Sequence, residues 1–404
     1  MADYNSIQGS GYPLAFRTRR GSARPGVLGA TAARDVFVTE ARVLNLYQKE
    51  AVVSEGAGGS AWRMTTDEGK HIKGTDLAPF PLGFMNAAVH GDVANRLLSL
   101  AKARGIVVDG LSLFVQNPYH IEGSFVRGDG QGHAHPPTIE VSIDTQASSS
   151  AVEALVDAAL RASPVIAMYR TALRNTFAIY VNGRRRPVTR MPNSDAPDAA
   201  DPYLTYRVAP APLAGSDELP DLIYKTGEIR QGELVDASSG AIRRIVRTIS
   251  GRSRLLDPAG VTETDTWLEL PGVSHFALKS DERVEGDQGP SGLALVSAAI
   301  VFCYMTQLSR YIEHQKFDIE GVRLVQFTPF ELHGRAAVGS LAGAAGPVDT
   351  HLFLNGGAGD ETHETLLHIA ARTCYLHALL GSTLEPVVGI SHNGKALRVA
   401  RAAA

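Results

Sequence analysis

The stretch GPSGLALVSAAIVFCYMTQLSRYI, Gly289 to Ile312, decides how the chain is read. It is apolar on nearly every side of a 3.6-residue turn, which predicts a helix buried all round. Its most apolar run, Leu293 to Met305, is 13 residues long. That is too short to span a bilayer, so a core helix is expected. The stretch carries Cys303, one of two cysteines in 404 residues. The other, Cys374, lies 71 residues on (374 − 303) in HETLLHIAARTCYLHALLG. The expectation is that these two helices bring the thiols to one site.

Length and composition set the frame. A chain of 404 residues exceeds what one core usually holds, so two domains are expected. Charged residues at 20% and hydrophobics at 44% describe an ordinary globular protein. A net charge of −3 gives no reason to expect nucleic acid or a membrane as partner. Two cysteines do not make a disulfide framework, and a reducing, cytoplasmic setting follows. MADYNSIQGSGYPLAFRTRR at the start lacks the apolar core of a secretory signal.

Around the cysteine helix the chain divides as follows. Residues 1–34 are Gly- and Arg-rich and read as an arm. The first half, 35–183, opens with strand-like DVFVTEARVLNLY and AVV…SAWRM and continues with a helix over Ala78–Gly105. Strands IVVDGLSLFVQ and TIEVSID follow, then a helical stretch from Ser148, broken at Pro164, and strand TFAIYVNG. Residues 184–240 are Pro-, Asp- and Ala-rich and read as a linker with one strand inside. The second half, 241–395, returns to strands, the Gly289–Ile312 helix, strands FDIEGVRLVQF and PVDTHLFLN, and the Cys374 helix. Pro290 − Pro79, Gly321 − Gly110 and Pro347 − Pro136 all equal 211. This common offset pairs element with element, and the repeat rests on order and spacing. Under it Cys303 pairs with Asp92 and Cys374 with Ser163.

These residues carry a resemblance. GPSGLALVSAAIVFC resembles the OsmC/Ohr stretch that begins GPSP and ends, after a Leu/Ala-rich helix, at the reactive cysteine. TCYLHALLG is similar to the family's second motif, CPVHRAL, with His377 at the His position and Tyr375 in place of proline. APFPLGFMNAAVHGD and ASPVIAMYRTAL match the same segments in the first half. The resemblance covers about 58–178 and 245–392. It implies an α+β fold of two OsmC-like repeats forming an intramolecular pseudo-dimer, with central buried helices packed against antiparallel sheets. It implies thiol-dependent reduction of organic hydroperoxides, Cys303 attacking and Cys374 resolving. Where family members carry a Glu on the helix's first turn this chain has Ala294, and Gly83 in the first half. The family's arginine would be Arg252 or Arg254.

The residues themselves admit other chemistry. Cys303 lies mid-helix among apolar neighbours, and no cation sits one turn away on its helix, so activation must come from elsewhere. His377 is at i+3 from Cys374 on the same face and suits a base or thiolate partner. His363 and His368 share that helix. Asp92 is a carboxylate where the family buries a thiol, and His90 points to another face. A hydrolase or carbon–carbon bond lyase with Cys303 as nucleophile and Asp92 and His377 as acid and base is one alternative, and a non-catalytic small-molecule binding protein another. HAHPP, 133–137, lacks further ligands at zinc spacing and reads as a loop leading into a strand. RTRR (17–20) and RRR (184–186) read as solvated surface, and SEGAGG (54–59) lacks the Lys and following helix of a phosphate loop. No cofactor or metal is expected. The expected partners are an apolar small molecule and, for a peroxidase, a dithiol reductant. A homo-oligomer is left open.

Overall fold

The computed structural model describes residues 3–124, 127–232 and 246–400. The first part runs β1 (Ala15–Arg19), β2 (Thr31–Val43), β3 (Lys49–Ser54), β4 (Ala61–Thr66) and helix α1 (Pro81–Ala103). It continues with β5 (Gly110–Glu122), β6 (Gln131–Ala134), β7 (Thr138–Asp144), α2 (Ser149–Ala162), α3 (Pro164–Arg170), β8 (Thr176–Val181) and β9 (Arg184–Arg186). The second part opens with β10 (Ile223–Ile229), β11 (Arg247–Asp257), β12 (Val261–Leu268), β13 (Ser274–Asp281) and α4 (Gly292–Gln315). It closes with β14 (Gly321–Arg335), β15 (Ala342–Ala345), β16 (Asp349–Asn355), α5 (Asp360–Thr373), α6 (Tyr375–Leu380), β17 (Val387–His392) and β18 (Lys395–Arg398).

Local chemistry sets the helix ends. Ser291 caps α4 by accepting the amide of Ala294. Pro81 opens α1, where its missing N–H costs nothing. Pro164 splits α2 from α3, and Ser163 between them accepts from the amide of Ile166. Along β5, Leu111, Leu113, Val115, Asn117 and Tyr119 face the core, with the intervening side chains outward until the strand's end.

Among the described residues the fold is mixed α+β with two nine-stranded sheets. One has the order β1-β4-β3-β2-β14-β16-β8-β9, with β15 on β14. The other has β10-β13-β12-β11-β5-β7-β17-β18, with β6 on β5. Moving every label by nine converts one order into the other. Each sheet therefore joins strands from both parts, through β2–β14 in one and β5–β11 in the other. The sheets are antiparallel except at two pairs, β8–β16 and β7–β17, which also cross between the parts. Helix α1 packs on β11, β12 and β5, and α4 on β2, β3 and β14. The two long helices meet back to back, Phe84 edge-on to Phe302 at 5.3 Å.

Several sequence expectations change here. The two halves are not separate domains, because one apolar core contains both helices and both inner sheet faces. Residues 1–34 are not a loose arm, since β1 pairs with β4 and β2 begins at Thr31. Much of 184–240 is not a free linker either. It contains β9 and β10, and Leu213 donates its amide to the Arg17 carbonyl at 2.9 Å. Asp217 of that segment pairs with the buried Arg17 guanidinium at 2.8 Å, so the RTRR run is only partly solvated. Residues 233–240 of the expected linker, and 241–245 of the second half, lie outside the described residues. Helix α4, at 24 residues, is long and apolar enough to cross a membrane, more than its 13-residue core suggests, yet 94% of its most apolar window is buried inside the protein.

Interleaved sheets predict mutual dependence. A chain cut between Gly232 and Val246 should yield two fragments that fold only together. Each expressed alone should lack a cooperative unfolding transition, and co-expressed they should co-purify with the near-ultraviolet circular dichroism of the intact protein. A single fragment that unfolds cooperatively would contradict the topology.

Candidate active site

Cys303 stands midway along α4, 3% exposed, and Cys374 is fully buried. Cys374 is the extended residue (φ −73°, ψ 120°) at which α5 ends and α6 begins. This break in the helix turns its sulfur toward α4. A side-chain hydrogen bond joins the two cysteines, and the Leu376 amide also faces Cys303. Burial acts to raise both thiols, but the net direction differs: Cys303 is raised and Cys374 lowered, and the two titrate as a coupled pair. Cys374 is held below the usual thiol range, because the Cys303 S–H and the imidazole and amide of His377 outweigh burial. Neither ring nitrogen of His377 has another hydrogen-bond partner of regular geometry, and the ring is held between Phe177 and Tyr304.

A polar stripe continues from Cys303 along its helix face. Thr306, Gln307 and Arg310 follow at i+3, i+4 and i+7. Thr306 Oγ1 donates to Glu68 Oε1 at 2.6 Å and accepts from Lys49 Nζ at 2.8 Å. Both of those partners come from the first part of the chain. Burial drives the Lys49 ammonium down and the Glu68 carboxyl up, and each opposes the shift of the other. Burial and the neighbouring Arg247 also lower Arg310.

A cavity of about 40 Å³ opens beside Cys303, lined by Glu68, His71, Arg247, Arg310 and Tyr375, with Phe80, Leu82 and Leu268 forming its apolar side. That volume suits a few waters or a narrow polar head group, not a bulky ligand. Burial, then Arg247 and Arg310, lowers His71 to about 3, so its imidazole is neutral at physiological pH. The site thus combines two thiols in contact, two guanidinium groups, a carboxyl–ammonium pair and a small opening. Electrostatically, that arrangement can hold a thiolate and receive an oxyanion.

The other residues expected at the site lie elsewhere. Arg252 is exposed on β11 with its guanidinium over Phe114 at 5.8 Å, and Arg254 pairs with Glu263 on the surface at 2.8 Å. Both alternate outward along the strand, whereas Arg247 at its start reaches the cavity. Ala294 stands in the first turn of α4, and the carboxylate beside the thiols is Glu68. Asp92 is not near the thiols. It is buried midway along α1 and accepts from Ser163 Oγ at 2.5 Å, the Val165 amide at 3.0 Å and Arg96 Nε at 3.2 Å. It faces the start of α4, where a side chain on Gly292 would come within 2.8 Å of its amide. Cys303 faces the start of α1 instead. About ten helical residues, or ~15 Å, separate the two clusters.

Arg310 and its stripe were detectable from the sequence as polar residues on the Cys303 face of an otherwise apolar helix. Nothing local marked Glu68, Lys49 or His71, because the fold brings them from a strand and the loop after β4, more than 200 residues away.

No protein-family model and no curated protein matches the sequence. A crystal structure of an OsmC-like hydroperoxide resistance protein from Jannaschia sp. CCS1 is similar to part of the chain. The identity is 20% over 34% of this chain and 89% of that one, with a TM-score of 0.26.

The Asp92 cluster makes a pH prediction. Glu282 accepts the Gly292 amide at 2.6 Å, and burial together with the Asp92 charge pushes its carboxyl to about 8. Above the ordinary carboxylate range the unfolded chain has lost this proton and the folded chain keeps it. Stability from this group therefore falls as pH rises from about 4.5 to about 8. Glu282→Gln should remove that loss, so its urea midpoint relative to wild type should climb across the same window. Parallel midpoint curves would show that the carboxyl is not held protonated.

Proposed function

We propose that the chain is a thiol-dependent reductase of organic hydroperoxides, built as two OsmC-like repeats that form an intramolecular pseudo-dimer with one working thiol site. The observation that carries the reading is the Cys303–Cys374 contact beside a cavity lined by Arg247, Arg310 and Glu68. The matching strand orders of the two sheets support the repeat. So do two glycines that obey the 211 offset (343 − 132): a Cβ on Gly132 would meet Thr373 and Cys374, and one on Gly343 would meet Ala162 to Pro164.

The chemistry balances with groups at the site. The Cys374 thiolate takes the Cys303 proton across their contact, which moves the charge to the sulfur that faces the cavity. Cys303 then attacks the distal oxygen of the hydroperoxide. An S–O bond forms, the O–O bond breaks, and the alkoxide leaves toward Arg310 and the Glu68 carboxyl, which supplies its proton. Cys374 attacks the sulfenic acid and expels water, leaving a disulfide. In sum, one hydroperoxide and the dithiol give one alcohol, one water and the disulfide. An external dithiol restores the site in a reducing compartment. Phe80, Leu82 and Leu268 fit an apolar tail behind the peroxide head.

The acid–base pairing of Asp92 with His377 draws no support from the geometry, since Asp92 binds Ser163 and Arg96.

Cys303→Ser should abolish consumption of cumene hydroperoxide, a loss of more than about 10³-fold. Cys374→Ser should still consume one equivalent and stop at a sulfenic acid that dimedone traps. Arg310→Ala should lower the attack rate by roughly 10²-fold. Wild-type protein whose thiols survive hydroperoxide unmodified would overturn the reading.

A further inference from the structure

We propose that His120, Glu122 and His133 form a binding site for a divalent transition-metal ion of the zinc type. The site lies on the outer face of the β5–β6 hairpin. His120 and Glu122 are two residues apart on β5 and share a strand face. His133 on β6 lies directly opposite His120 in the ladder. Three ligands that lie up to 13 residues apart in the sequence (133 − 120) are thus brought to one patch.

The distances suit an ion. His120 Nε2 lies 3.2 Å from Glu122 Oε1, and His133 Nε2 lies 3.7 Å from Glu122 Oε2. All three ligand atoms fall within 4.8 Å of one another. A tetrahedral zinc with ligands at about 2.0–2.1 Å holds ligand atoms roughly 3.3 Å apart. His133 Nε2 is enclosed and has no hydrogen-bond partner. His120 Nδ1 lies 2.7 Å from His135 Nε2. When His120 donates its Nδ1 proton there, its Nε2 carries a lone pair that faces a carboxylate, an arrangement that calls for a cation between them. A ligating imidazole whose other nitrogen is hydrogen-bonded is the usual support of a metal histidine. His135 also stacks on His120 at 4.8 Å, which restricts that ring.

The donor set is two imidazoles and one carboxylate, with a fourth position open to solvent beside the half-exposed Glu122. Imidazoles favour Zn²⁺, Co²⁺, Ni²⁺ and Cu²⁺ over Mg²⁺ and Ca²⁺. A second cluster, Glu228, Asp265 and His275, offers one imidazole and two carboxylates, and Trp267 stacks over that imidazole at 4.8 Å. It is the weaker zinc-type set.

The test uses the full chain with Cys303→Ser and Cys374→Ser, so that the thiols cannot take the metal. Co²⁺ is titrated and its visible d–d absorption recorded, and Zn²⁺ is titrated by calorimetry. One equivalent should bind at micromolar or tighter affinity. His120→Ala with His133→Ala should weaken it at least 100-fold, and Glu122→Gln, which keeps the shape of the site, about 10-fold or more. Circular dichroism checks that each variant is folded, and the intact background carries the proposal if one is not. His275→Ala should change nothing. Three results would overturn the site: no binding at millimolar metal, binding that survives the His120/His133 change, or loss of binding on His275→Ala. The first would leave these side chains as a surface polar cluster only.

Discussion

Two antiparallel ladders, β2 with β14 and β5 with β11, carry the architecture. Each is a run of backbone hydrogen bonds between strands that lie in different parts of the chain. Buried backbone groups need partners, and here the partners come from the other part. Everything that functions is a consequence of this exchange. It places α1 over a sheet whose opening strands follow residue 220, and α4 over one that opens before residue 70. It also explains why Lys49 and Glu68 can stand against Thr306. The polar wall of the cysteine cavity draws Glu68 and His71 from one part of the chain and Arg247 and Arg310, like the thiols, from the other.

Because the two helices cross antiparallel, the start of each meets the middle of the other, and two equivalent buried positions result. The chain uses them differently. At one end the middle of α4 offers Cys303, and the neighbouring helix break offers Cys374. At the other end the middle of α1 offers Asp92, and the corresponding break offers Ser163. A carboxylate with three donors around it is satisfied, and breaking one such buried pair typically costs about 3–5 kcal/mol. The two thiols at the other end lack such a set of donors, and a cavity adjoins Cys303. The same backbone geometry thus gives a closed ionic cluster at one end and a pair of buried thiols beside an opening at the other.

Much of this was legible in the sequence where the signal was local. Gly289–Ile312 reads as a helix buried on all sides, and α4 is that helix. Pro164 reads as a break, and Ser163 is the hinge between α2 and α3. Leu111, Leu113 and Val115 alternate, and β5 turns them inward. The unreadable parts are non-local. Ala15–Arg19 looks like an unstructured arm because its pairing with β4 and its salt bridge to Asp217 are distant in sequence. The arginines of β11 look equivalent on paper. Only the register against β5 and β12 sends Arg252 and Arg254 outward, while Arg247 alone sits where the strand passes the cavity.

The placement of Gly132 connects the thiols to the outer face of the sheet. A Cβ there would lie 2.9 Å from the Thr373 carbonyl and 3.4 Å from the Cys374 backbone, so the strand rests directly on the turn that holds the second sulfur. Tyr119, on the inner face of the same hairpin, packs against Tyr375 with the rings tilted at 45° and 5.4 Å apart. The joint at Cys374 is thereby fixed from two sides, by a strand backbone and by an aromatic ring. Sulfur chemistry between two buried residues needs such fixing. Disulfide geometry requires Cα atoms within about 7 Å and a defined torsion, and a mobile turn would reach it only part of the time. The hairpin that carries His120 and His133 on its outer face is thereby packed directly against the turn that holds Cys374.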